Sequence, residues 1–203
     1  MGQRHQAYLR LPAVYYNENN PNNRGELTIG LHHQWLYGFN AVYALYRYIK
    51  WLKAGESNLK YISQDPQGAF NASYSFDHEI GYFHGVHTLM EAEVKDPTTA
   101  DNNNGITIID IASMPAQKPR YCFMFLGDDF QETCKNHMPN FEPLSVEQWL
   151  TCHYPDWQES NWHESKEVES WMIDRVGYIT KHAEVLEKSR VELIFPAMMA
   201  KVA

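Results

Sequence analysis

Residues 26–55 read ELTIGLHHQWLYGFNAVYALYRYIKWLKAG, and the hydrophobic period changes at Gly38. Before it the pattern alternates: Leu27, Ile29, Leu31, His33 and Trp35 fall on one face, and Thr28, Gly30, His32, Gln34 and Leu36 on the other. Successive side chains of a strand point to opposite faces, so this stretch predicts a strand with an apolar inner side. After Gly38 the apolar residues recur at helical spacing. Val42, Leu45, Tyr46, Ile49 and Leu52 share a face, Lys50 and Lys53 lie towards the last turn, and Gly55 supplies a stop.

Upstream, QAYLRLPAVYY (6–16) also reads as a strand, and the polar run NENNPNNRG (17–25) closes a long-looped hairpin. Pro12 places the first strand at a sheet edge or a bulge. His5, Ala7, Leu9 and Leu11 share one face of it, so His5 and His33 are expected to meet at one end of the sheet on the inner face. Gln6, His32 and Gln34 are then expected together on the outer face.

Downstream, residues 74–94 carry a helical stripe of Ile80, Phe83, Val86, His87 and Met90, weakened by Gly81 and Gly85. After the loop DPTTADNNNG, the runs ITIIDIA (106–112) and RYCFMFL (120–126) read as buried strands. Ser145 and Gln148 have capping-box spacing at the start of a short helix. A last helix is expected over 164–188, its stripe made of Val168, Trp171, Met172, Arg175, Val176, Ile179, Ala183 and Leu186, with Arg175 the exception.

The order ββααββαα predicts an α+β fold: an antiparallel sheet of two strand pairs covered by helices. One domain over 1–203 is expected, with a C-terminal helical segment at about 143–190. Sandwiches of the amino-terminal-nucleophile hydrolases share this order, but with Met1, Gly2 and Gln3 at the start the defining nucleophile is expected to be lacking unless the chain is processed.

Composition narrows the function classes. A formal net charge of −8 without a basic run argues against a nucleic-acid binder, whose affinity rests on phosphate neutralisation. No stretch approaches the roughly 20 apolar residues of a membrane span, and the first residues lack the plan of a secretion signal. Three irregularly spaced cysteines, Cys122, Cys134 and Cys152, suit reduced thiols and a cytoplasmic setting better than a disulfide framework. The 13 Tyr and 6 Trp are residues that interfaces concentrate at their centres, which favours a homo-oligomer or a protein partner.

The chemistry-bearing residues gather on the hairpin. His5, His32 and His33 are candidate catalytic groups, with Gln6, Gln34 and Trp35 as ligand-binding neighbours. The same residues also suit an architectural role, since a buried imidazole needs hydrogen-bond partners that Gln or His can provide. Metal sites have weaker signals. His84 and His87 would share a helical face, and Cys134 with His137 has Cys-x-x-His spacing ahead of Cys152 and His153, but no HExxH or CxxC pattern is present. No cofactor fingerprint occurs.

QRHQ at 3–6, HHQWLYG at 32–38, DNNNG at 101–105, RYCFMFL and PLSVEQWLTCHYP together resemble a group of uncharacterised proteins predicted widely in fungal genomes. The resemblance runs from Gln3 to about Pro155, and HHQWLYG is its most specific part. It implies that this segment belongs to a module and carries no activity over. Two functions are therefore expected: a non-enzymatic protein acting through self-assembly or a protein partner, or a small-molecule enzyme, such as a hydrolase, with a His/Gln-lined site on the hairpin.

Overall fold

A computed structural model describes residues 4–12, 27–34, 36, 38–75, 86–100, 105–114, 117–126, 140–159 and 166–201. The Asn-rich loop, Trp35, residues 77–79, His84, Cys134 and His137 lie outside the described residues.

The alternation at the amino-terminal end builds β1 (His5–Leu11) and β2 (Leu27–His33), paired antiparallel with His5 opposite His33 and Gln6 opposite His32. Pro12 directly follows the last residue of β1 and so does not interrupt it. Two further strands, β4 (Ile106–Asp110) and β5 (Arg120–Met124), form the second antiparallel pair. Two short strands that the periodicity does not reveal, β3 (Val86–Thr88) and β6 (Glu184–Val185), flank them. The sheet order is β3-β2-β1-β4-β5-β6.

The expected two-pair antiparallel sheet is corrected by this order. The fold is α+β-like, but the sheet is mixed, because β1 pairs parallel to β4 and β5 parallel to β6. β1 and β4 take the central positions and are buried on both faces, their polar residues His5, Gln6, Thr107 and Asp110 included. The helical reading of residues 74–94 is also corrected: residues 86–88 are strand, and the only helix in that stretch among the described residues, apart from a π-helical turn that ends it at residues 74–75, is α4 (Glu91–Lys95).

Helices lie on both sides of the sheet. The inner face, with Ala7, Leu9, Leu31, Ile109, Tyr121 and Phe123, packs against four of them: α1 (Phe39–Lys53), α3 (Pro66–Phe70), α5 (Val146–His153) and α6 (Lys166–His182). A short helix, α2 (Glu56–Gln64), joins α1 to α3, and one π-helical turn (Asn71–Ser75) follows. The outer face, with Tyr8, Ile106, Ile108, Cys122 and Met124, is covered by α7 (Lys188–Ile194) and α8 (Pro196–Met199).

Local sequence explains the boundaries. Gly38 takes φ +49° at the amino end of α1, and a side chain there would run into the Tyr154 hydroxyl. The capping box at α5 forms in full: the Gln148 amide N–H donates to Ser145 Oγ (3.2 Å), and the Ser145 N–H donates to Gln148 Oε1 (2.8 Å). The long carboxy-terminal helix ends at His182, earlier than its stripe predicts, and Leu186 joins the outer core instead. Arg175 loses its oddity. Its guanidinium stacks 4.3 Å from the Trp171 ring centre and 5.1 Å from that of Tyr46, which joins α6 to α1 by cation–π contact.

On the outer side, Asp110 is fully buried and accepts from Arg120 on β5 (2.9 Å) and Arg190 on α7 (2.8 Å). This two-armed pairing fixes α7 to the sheet, since a buried carboxylate is tolerated only when its charge is met.

Candidate functional site

Period-two alternation places the hairpin histidines as expected, and the sheet then buries them. His5 and His33 lie side by side on the inner face, each 0% exposed. His5 Nε2 is hydrogen-bonded to the Thr107 hydroxyl at 2.7 Å and meets the Trp149 ring edge-on at 5.8 Å. His33 meets the ring of Tyr74 edge-on at 5.5 Å. Burial pushes the Tyr74 phenol well above its ordinary pKa, with the Thr107 hydroxyl working in the opposite sense.

Trp149 organises this end of the sheet. It stacks on Phe123 (4.8 Å) and Phe125 (4.7 Å), and its indole N–H donates to the Gly38 carbonyl at 3.0 Å. Gly105, at φ +81°, lies against it, where a Cβ would come within 2.6 Å of the Met124 carbonyl. One turn along α5, His153 contacts the Trp149 ring at 4.4 Å, and burial pushes its imidazole down to about 4. Sequence reading singles out His5 and His33 but misses Thr107, Tyr74 and Trp149. Alternation in ITIIDIA would have found Thr107, a polar residue on the same face as Ile109 and Ile111.

On the outer face, the Gln6 amide donates to His32 Nδ1 at 3.2 Å, and His32 stacks on His87 of β3 at 4.5 Å. Gln6 is 0% exposed and His32 8% exposed. Burial, then the neighbouring His87 and Arg4, hold the His32 imidazole below its ordinary range, against the opposing pull of Glu93. Gln34 is exposed at the end of β2. Of the metal candidates His84, His87, Cys134 and His137 only His87 is described, on a strand and not on the helix that its pairing with His84 required. Among the described residues, no group of three or more His, Cys, Asp or Glu is placed to hold a metal ion.

Two clefts open on the described surface, and neither is lined by His5, Gln6, His32 or His33. One, of about 510 Å³, opens beside β2 and α4 and mixes Arg10, Glu91 and Lys95 with aliphatic side chains. The other, of about 440 Å³, lies between α1 and the α2–α3 segment, with walls formed by Tyr43, Tyr46, Arg47, Lys50, Trp51 and Tyr61. Its floor includes Ser73, whose hydroxyl donates to the Ala69 carbonyl (2.5 Å) within the π-helical turn. Such turns often mark functional sites.

The α1 residues of this cleft, Tyr43, Tyr46, Arg47, Lys50 and Trp51, make a second stripe that overlaps the buried one at Tyr43, and Tyr46, expected on the core face, is half-buried and lines the cleft. That spacing is one helix face, so the signal was present in the sequence and was hidden by the stronger apolar stripe. Comparison of the chain with protein families, with curated proteins and with solved structures finds no match. Among the described residues, no helix is long and apolar enough to cross a membrane.

Proposed function

We propose that the protein is a non-enzymatic binding module that meets a protein partner through the α1–α3 cleft. The supporting observation is the concentration of Tyr43, Tyr46, Arg47, Trp51 and Tyr61 around one open depression. Tyr, Trp and Arg dominate the energetically decisive positions of interfaces, because each combines a large apolar area with a polar tip. The hairpin imidazoles, by contrast, are buried, and His5 lies directly against Trp149 of α5. A catalytic base must come within hydrogen-bond reach of the proton it takes.

Photo-cross-linking tests this reading. A benzoylphenylalanine at position 61, introduced into the full chain in the cells that make it, is expected to capture one protein species. The same group at Glu192, exposed on α7, should not capture it, and Trp51→Ala should abolish the product. Equal labelling from both positions would end the proposal. A product of twice the chain's own mass identifies the partner as a second copy, which is the self-assembling form of the same reading.

A further inference from the structure

We infer that the α1–α3 cleft takes an acidic peptide segment that carries an aromatic or long apolar side chain. This rests on the reading of the cleft as a partner site and adds the chemistry of what it binds. The chain as a whole is acidic, at −8, yet the described lining of this cleft contains Arg47 and Lys50 and no carboxylate. The described lining of the depression therefore carries positive charge on a chain whose net charge is negative.

The two cations are arranged over aromatic faces. Arg47 lies 5.9 Å from the ring centre of Tyr43, and Lys50 lies 5.6 Å from that of Tyr46. Among the described residues neither takes part in an ion pair, whereas Arg120, Lys188, Arg190, Lys95 and Lys201 all do. Each cation thus keeps hydrogen-bond donors for an incoming carboxylate while the ring beneath restrains it. Restraint before binding lowers the ordering cost of the complex, and a guanidinium is suited to two-point capture of a carboxylate.

The rest of the wall is apolar in body. Trp51 is half-buried and Tyr61 is 43% exposed, so both rings offer faces to a side chain lying between α1 and α2. Arg47, Lys50 and Trp51 occupy consecutive turns of one helix face, over a rise of about 6 Å. That length matches two or three residues of an extended chain, at about 3.3 Å each. An acidic residue next to an aromatic one fills it.

The test is selection of random twelve-residue peptides displayed on phage against the full-length protein. The peptides expected to emerge have Asp or Glu beside Phe, Trp, Tyr or Leu. Their affinity, measured by fluorescence anisotropy, should fall roughly thirtyfold in Arg47→Ala/Lys50→Ala, the size of one interface hot spot. It should be largely retained in Arg47→Lys/Lys50→Arg and weaken as salt is raised. Unchanged thermal midpoints show that the variants fold.

Selected peptides that require Trp51 but show no acidic enrichment would overturn the charge chemistry and leave the partner site standing. Displacement of the peptide by inorganic phosphate at equal concentration would assign the cleft to small anions and overturn the peptide assignment. Selected peptides indifferent to Trp51→Ala, together with blank cross-linking at position 61, would remove both readings.

Discussion

The inner end of the sheet and the α1–α3 cleft are built from the same kinds of side chain, and they do opposite things with them. Around Trp149, aromatic rings and imidazoles are stacked on one another, with His5 hydrogen-bonded to Thr107 and the indole N–H to the Gly38 carbonyl. In the cleft, Tyr, Trp and Arg side chains meet solvent, and the cations rest on rings without an acid. The first arrangement stabilises the fold, and the second leaves binding capacity unused. Residue type alone does not separate them; what lies opposite each face does.

The contrast breaks most sharply at Trp149. Trp149→Ala removes a fully buried ring and strands its partners, and is expected to cost about 3–5 kcal/mol, readable as a large drop in the urea midpoint. A loss below about 1 kcal/mol would mean that this end of the sheet is not the packed structure described.

Acid probes the same region more gently. The His153 imidazole is neutral when folded, down to about 4, and accepts a proton in the unfolded chain at an ordinary histidine pKa near 6.5. Stability is therefore complete above that range and lost as the pH falls from about 6.5 towards 4, on the order of 3 kcal/mol in all. His32 is shifted in the same direction and adds to the loss at the β3 edge. Urea titrations at several pH values should show this decline, and His153→Gln should remove most of it.

The smallest effect belongs to the cleft. Arg47→Ala/Lys50→Ala is expected to change stability by no more than about 1 kcal/mol, as substitutions away from the core usually do. It should nonetheless remove peptide binding. A double variant that unfolds would make the cleft a second structural region and erase the comparison.

What the sequence reveals follows from how local the determining physics is. Faces and register of the β1–β2 hairpin are legible because alternation fixes them, down to His5 opposite His33. The α5 cap is legible because its two partners, Ser145 and Gln148, are three residues apart. The β1–β4 pairing is not, because parallel strands need no shared turn and leave no signal at either strand. A two-residue strand such as Glu184–Val185 has no period to detect. The burial of His32 involves His87, which reaches it only through the β2–β3 pairing, and no pattern within β1 or β2 announces that neighbour. The cleft is not legible for a different reason: Arg47, Lys50 and Trp51 look like the margin of a core helix until α2 stands across from them.

The parallel seam between β1 and β4 also bears on how the chain reaches this state. His5 and Thr107, which touch across it, are 102 residues apart in the chain. Each flanking hairpin joins strands far closer in sequence and can form early, whereas the seam needs a large loop to close before any of its contacts reward it. Folding is thus expected to be limited by the docking of two preformed halves. Substitutions along Ala7 and Thr107 would slow refolding, and those in α6 would mainly hasten unfolding.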